Sequence, residues 1–565
     1  MPLSRRQFIE RSLASAVVGS IAIEAGSAKG RPTMQSSSHG SLPNYHRLPD
    51  NVTLYSEEGA YPLRLETNGK WVGSNMEITT TLKEDELSVA LSAPKSTVKH
   101  VHLRWRGELD SVRLVLGDAW ERGYGDLEWT VLDPSRVMPW YYAVWDGKAT
   151  HCQGVRTSPK AFCFWQVDTE GISLWADVRS GGAGVQLGER TLHICDILIR
   201  DGKDGETPFA AIHAFCRQMC LHPLLPKEPV YGHNDWYYAY GKNSSKQILE
   251  DAHRIVSFSP TGKNRPFTVI DAGWQPPHGG CDGGVWDRGN EKFPDMPGLA
   301  TDIKRAGAHP GIWIRPLCAA SDTPDTWRLP RDRAYLDPTV PDALEKVAKD
   351  IARIHQWGFE MIKHDFSTAD ILGRWGFQMG ATPTNDGWTF AEGPKRTSAE
   401  VIHELYQTIR HAAGDSLVLG CNTVSHLSAG LFELCRIGDD TSGQEWARTR
   451  KMGVNSLAFR CVQQTAFYTV DPDCVGVTND IPWHYNRQWL DLVARSGTML
   501  FLSLAPDAMN IEVERDVRNA LEVAAKPQPL GEPLDWQQTL LPIKWKLMGN
   551  DTRYIWVGQE GVSPF

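Results

Sequence analysis

The chain has 565 residues, 41% hydrophobic and 22% charged, with a net charge of −9. That length and balance point to two or three globular domains with ample core. The acidic balance and the lack of a basic patch argue against a nucleic-acid partner.

The first element is a targeting segment over residues 1–28. Ser4-Arg5-Arg6-Gln7-Phe8-Ile9 resembles the twin-arginine export motif. A moderately apolar stretch from Leu13 to Ile23 follows, and Gly26-Ser27-Ala28 offers small residues for cleavage. The apolar run is too short and too rich in Ala, Gly and Ser for a stable membrane insertion. The expectation is a bacterial exported protein, periplasmic or secreted. Residues 29–48, rich in Ser, Gly, Pro and His, read as a linker.

Residues 49–222 form the next unit. Short β-type runs alternate with turns, as at Val98 to Trp105 and Thr191 to Ile199, and no long helical pattern interrupts them. This predicts an antiparallel β-sandwich. A connecting helix over 208–222 and a joint at Pro223, Pro226 and Pro229 close it.

From 223 to 508 apolar strands alternate with helical stretches. Strands are predicted to begin near Val230, Pro266, Gly311, Phe359, Leu417, Glu433, Phe467 and Met499. Leu344, Val347, Ile351 and Ile354 share one helical face, and Gly358 then leads into the buried run Phe359 to Ile362. Eight such strands predict a (β/α)8 TIM barrel, within a multidomain α/β chain. Residues 509–565 read as a short C-terminal β-rich segment.

Three strand ends carry the chemistry: Val269-Ile270-Asp271-Ala272-Gly273-Trp274, Met361-Ile362-Lys363-His364-Asp365-Phe366 and Cys435-Arg436-Ile437-Gly438-Asp439-Asp440. Carboxylates at the C-terminal ends of parallel barrel strands read as catalytic. Two of them on separate strands suit the breaking of a glycosidic bond. Lys363, two residues before Asp365, points the same way and would keep that carboxylate ionised, as a nucleophile requires. Asp439 and Asp440 would repel, so that one holds a proton and serves as general acid. Asp439 reads equally as a helix cap or as a partner behind the site. Asp471 and Asp473 read as supporting residues, and the insertion 367–397, with Trp375 and Trp388, as a wall of the cleft. Trp236, Trp274 and Trp313 sit near strand ends, where each would stack on a sugar or pack. Asp235 beside Trp236 is placed to contact hydroxyls. The 22 Trp of the chain leave the same choice open.

The 11 Cys are odd in number and show no metal spacing. Most are expected to be buried thiols, with one or two disulfides compatible with an oxidising compartment. The 18 His show no ligand spacing either. The Gly-rich run at 278–284 lacks the Lys-Ser/Thr of a phosphate loop. No cofactor and no metal are expected.

Together the three strand ends resemble clan D glycoside hydrolases, the α-galactosidases of families 36 and 27. Lys292-Phe293-Pro294-Asp295-Met296, Gly311-Ile312-Trp313-Ile314-Arg315-Pro316, Leu336-Asp337-Pro338-Thr339 and Asp471-Pro472-Asp473 extend the resemblance across about 230–505. It implies a nucleophile at Asp365 and an acid/base at Asp440. It also implies sugar contacts from Asp271 and Lys363, and a 2-hydroxyl contact from Arg436. One departure stands out. Asp271-Ala272-Gly273-Trp274 occupies the place of the family's Asp-Asp-Gly-Trp, whose two Asp grip the 4- and 6-hydroxyl end of α-galactose. Losing one charge-assisted hydrogen bond is worth roughly 1.5–3 kcal/mol.

The expected activity is therefore a retaining exo-α-glycosidase of the α-galactosidase type, acting on oligo- or polysaccharides by double displacement. Alternatives are altered sugar specificity (β-L-arabinopyranosidase or α-N-acetylgalactosaminidase), transfer as in the raffinose-synthase branch, and a non-catalytic carbohydrate-binding barrel. A homo-oligomer is left open.

Overall fold

The computed structural model describes residues 45–562, except Asp85, 278–280, 282–283 and Glu560. The expected targeting segment and nearly all of the linker lie outside the described residues.

The N-terminal part is antiparallel. Among the described residues, thirteen strands from Asn51 to Arg200 join in one sheet. Burial alternates along its strands, as in Glu86–Ser92 and His100–Arg106, because one face is packed and the other wet. The sheet folds over on itself. Tyr142 in Tyr141–Trp145, near one edge, lies 5.5 Å from Trp165 in Phe162–Asp168, near the other. The two inner faces thus share one core, the arrangement of a sandwich. Helix α1 (Pro208–Met219) follows, capped by the Thr207 side chain and started by proline.

The next sheet is parallel. Its strands are β1 (Tyr231–Asn234), β2 (Phe267–Ile270), β3 (His309–Ile314), β4 (Met361–His364), β5 (Leu417–Gly420), β6 (Leu434–Arg436), β7 (Thr469–Asp471) and β8 (Leu500–Leu504). Each starts within two residues of its predicted position. Their residues are almost all buried, as helices on the outside and side chains within require. The seventh strand is broken. β7 pairs with β6, and its continuation Val475–Val477 pairs with β8, which in turn pairs with β1. Pro472 has no N–H for the ladder and Asp473 has φ +79°, so the chain turns between the two pieces. The two pieces together close the ring of a TIM barrel.

The predicted helix before β4 spans Pro341–Gln356 and buries Ala343, Val347, Asp350, Ile351 and Ile354. Leu344, expected on that face, is half-buried at its margin. Gly358, with φ +94°, makes the turn into β4. After the barrel, Glu532–Pro533, Lys544–Leu547 and Asn550–Arg553 form a three-stranded antiparallel sheet.

Much of the tryptophan excess is core. Trp105, Trp140, Trp165, Trp274, Trp286, Trp313, Trp489, Trp545 and Trp556 are among the largest fully buried side chains. One disulfide, Cys281–Cys318, joins the segment after β2 to the end of β3. The free cysteines among the described residues are all buried. No helix among the described residues is long and apolar enough to cross a membrane.

Candidate active site

Parallel register sets the C-terminal rim of the barrel. Trp313 of β3 lies opposite Lys363 of β4, and Arg436 of β6 opposite Asp471 of β7. Side chains two apart on a strand face the same way, so β4 sends Lys363 and Asp365 into the same space.

Lys363 reaches across to β2, where its Nζ donates to Asp271 Oδ2 at 2.6 Å. Asn234 Nδ2, at the end of β1, donates to the same oxygen at 3.0 Å. The other oxygen accepts the backbone N–H of Ala272. Asp235 lies behind this pair. Its two oxygens accept from the Asp271 N–H at 2.7 Å and from Asn243 Nδ2 at 2.6 Å. Burial, and next the charge of Asp271, push the Asp235 carboxyl up to about 7. Asp235, expected to contact hydroxyls, uses its two oxygens to hold the Asp271 N–H and the Asn243 amide.

Asp365 is held at both oxygens. Trp313 Nε1 donates to Oδ2 at 3.0 Å and the Phe366 N–H to Oδ1 at 2.9 Å. Trp274 in turn donates from Nε1 to the Trp313 carbonyl and packs between Trp286 and Trp357. Trp274 is wholly buried, which corrects its assignment to the sugar: its faces are covered by protein, and it supports Trp313. Trp313 is 1% exposed, and its indole orients Asp365. Trp236 is half-buried, beside the ring of Tyr240.

Arg436 gathers three carboxylates. Its Nε donates to Asp471 at 2.9 Å, one terminal nitrogen faces Asp440 at 3.3 Å and the other pairs with Asp473 at 2.7 Å. Asp473 also accepts from the Thr441 N–H and hydroxyl and from the Tyr237 hydroxyl. Burial raises the Asp473 carboxyl, against the pull of Arg436. Asp471 and Asp473 thus hold Arg436, a partner that their sequence positions did not name.

Asp439 and Asp440 point apart. Asp439 pairs with Arg448 at 2.7 Å and with Arg122 at 3.3 Å. No helix starts at Asp439; the next short one is preceded by Glu445. The expected repulsion between the two neighbours is therefore replaced. Two guanidinium groups match the charge of Asp439, and the like charges around Asp440 come from the Arg436 cluster.

β5 stands between β4 and β6, so Asp365 and Arg436, with Asp440 beside it, lie on the same rim with Cys421, just beyond β5, between them. Burial pushes the Cys421 thiol up. His364, between Lys363 and Asp365, is buried and pushed down to about 3, so it stays neutral.

Residues 121–124 of the sandwich also reach this rim. Gly123 donates to the Ile437 carbonyl at 2.7 Å and accepts from the Asp439 N–H at 3.1 Å, extending β6 by a bridge. Glu121 accepts from Asn422, Tyr124 and Gly376. Sequence reasoning missed these residues. Their only signal was Glu121-Arg122-Gly123-Tyr124-Gly125-Asp126, a charged, glycine-spaced loop far from the barrel motifs.

Solved structures match this arrangement over most of its length. An α-galactosidase from Thermus thermophilus, in complex with p-nitrophenyl α-D-galactopyranoside, is 16% identical with a TM-score of 0.55, covering 89% of this chain and 99% of that one. The GH36 α-galactosidase AgaA from Geobacillus stearothermophilus, in complex with raffinose, is 11% identical with a TM-score of 0.53, covering 85% and 76%. The fold is that of the family 36 α-galactosidases. An α-galactosidase from Lactobacillus brevis shares it at 12% identity and a TM-score of 0.52, covering 83% and 72%. No protein-family model and no curated protein matches the chain. The α-galactosidase fold thus persists at identities where likeness speaks for architecture alone.

Proposed function

We propose that the protein is a retaining glycoside hydrolase of the α-galactosidase type, removing terminal sugars from oligo- or polysaccharides. The observation that carries this reading is the pair of buried carboxylates at the C-terminal rim of one parallel sheet, Asp365 beyond β4 and Asp440 beyond β6, with β5 between those strands.

In this reading Asp365 is the nucleophile. The Trp313 and Phe366 N–H groups aim its carboxylate at the anomeric carbon. As the Asp365–carbon bond forms, the glycosidic bond breaks and Asp440 gives its proton to the leaving oxygen. In the second half Asp440 takes a proton from water. That water attacks the anomeric carbon and frees Asp365. Asp271 and Lys363 take hydroxyls of the terminal sugar on the β2 side, and Arg436 the 2-hydroxyl. No step calls on a cofactor. Ala272, where the resembling enzymes carry a second Asp, favours a sugar that lacks or has modified the 6-hydroxyl. The twin-arginine-like segment supports export to the periplasm or beyond.

The test is release of p-nitrophenol from the α-galactoside, β-L-arabinopyranoside, α-N-acetylgalactosaminide and α-glucoside. Asp365→Ala is expected to abolish release. Asp440→Ala is expected to lower it about 10²–10⁴-fold. Release that survives Asp365→Ala would reject the assignment, and the preferred glycoside identifies the sugar that Ala272 admits.

A further inference from the structure

Next to Asp365 begins a run of aromatic rings that the reaction itself does not use. Phe366 has φ +67°, in the left-handed region that costs a bulky residue energy, and an Arg315 guanidinium lies over its ring at 4.1 Å. Its ring is 5.8 Å from that of Trp375, in the insertion after β4. Arg122 of the sandwich lies over Trp375 at 5.5 Å and over Tyr124 at 5.8 Å. Tyr124 meets Phe377 edge-on at 5.8 Å, and Phe377 is 57% exposed. The rings thus lead from the residue after the nucleophile out to solvent.

This run is built by two segments that fix each other. Gly376 (φ +45°) lies so close to Tyr124 that a Cβ there would fall 1.9 Å from the ring. The Gly376 N–H and the Tyr124 hydroxyl both donate to Glu121, at 3.0 and 2.5 Å. Arg122 ties the same segment to Asp439, the residue before Asp440. The run therefore borders both proposed catalytic carboxylates. It lies over β4 to β6, whereas Asp271 and Asp235 sit at β1 and β2.

We propose that Trp375, Tyr124 and Phe377 form the leaving-group subsite, a row of aromatic faces for the sugar rings beyond the scissile bond. The inference rests on the hydrolase reading. Flat apolar faces with polar edges suit pyranose rings, whose C–H groups pack on an aromatic face while the hydroxyls stay wet. The half-buried Trp375 and Tyr124 serve the nearer ring and the exposed Phe377 the farther one.

The test takes the terminal sugar that the p-nitrophenyl panel identifies and compares an oligosaccharide carrying rings beyond the scissile bond (stachyose where that sugar is galactose) with the methyl glycoside, which carries none. In Phe377→Ala and Trp375→Ala the ratio of kcat/KM for the oligosaccharide to that for the methyl glycoside is expected to fall about 2–12-fold. The exposure of Phe377 makes its variant the one sure to fold. Trp375→Phe is expected to recover most of the ratio. An unchanged ratio, with equal loss on both substrates, overturns the subsite and leaves the hydrolase standing. Wild-type protein that releases p-nitrophenol from none of the four glycosides overturns the hydrolase reading, and the subsite with it.

Discussion

Asp235 shows how a single buried acid can work against the fold that holds it. Its carboxyl is pushed up to about 7, by burial first and then by the charge of Asp271. Below pH about 4 both the folded and the unfolded chain keep this proton, and the group makes no pH-dependent contribution. Between about 4 and 7 the unfolded chain releases it while the folded chain retains it. Stability therefore falls as pH rises through that window and stays lower above it. Asp235→Asn keeps the shape of the protonated acid and removes the titration. Its stability relative to wild type, from urea unfolding at a series of pH values, is expected to rise by ~2–4 kcal/mol between pH 4 and pH 8. A constant offset would show that Asp235 is ionised throughout. The same residue marks a limit of sequence reasoning. Its position beside Trp236 at a strand end was legible. That both oxygens are taken by Asn243 and the Asp271 N–H was not, because those contacts depend on the close approach of two strand ends.

At the scale of elements, the strands could be read because a parallel strand buried on both faces is a continuous apolar run, and the carboxylates that end such runs stand out. The helix before β4 could be read from its period. The break in the seventh strand was visible only as Asp471-Pro472-Asp473, which does not say that each half pairs with a different neighbour. The bridge from Gly123 to Gly438 left no periodic pattern, since one pair of backbone hydrogen bonds needs no side-chain periodicity. Its effect on the site is testable at Gly438. A Cβ there would lie 2.1 Å from the Met452 carbonyl and 2.8 Å from Ser456 Oγ. A backbone oxygen cannot swing aside, so the end of β6 must shift and carry Asp440 with it. Gly438→Ala is expected to lose about 1–3 kcal/mol of stability to overpacking. It should also lose ~10²-fold in kcat/KM, the cost of a displacement near 1 Å. Gly262→Ala, with nothing within 4 Å, is the matched control. Full activity in Gly438→Ala would mean that the bridge does not position Asp440.

At the scale of the whole molecule the sandwich and the barrel are one catalytic body, joined by buried charges. Arg460, at the end of the barrel helix Ser456–Arg460, is fully buried and pairs through Nε with Asp118 of the sandwich at 2.9 Å. Its terminal nitrogens hold the Glu121 and Ile437 carbonyls and the Ser425 hydroxyl. Gln463 also donates to Asp118 at 2.9 Å. Such a pair adds little net stability over apolar packing, but removing one partner strands the other charge out of water. Because Arg460 grips the carbonyl just before Arg122 and that two residues before Asp439, the pair also sets where the two domains meet. Asp118→Asn and Arg460→Met are each expected to cost ~3–5 kcal/mol, and the double variant less than their sum. Denaturant unfolding of all four proteins measures the coupling. Strict additivity would show that the ion pair is not what joins the domains, and that the sandwich holds the rim of β6 through the Gly123 bridge and the Arg122–Asp439 pair alone.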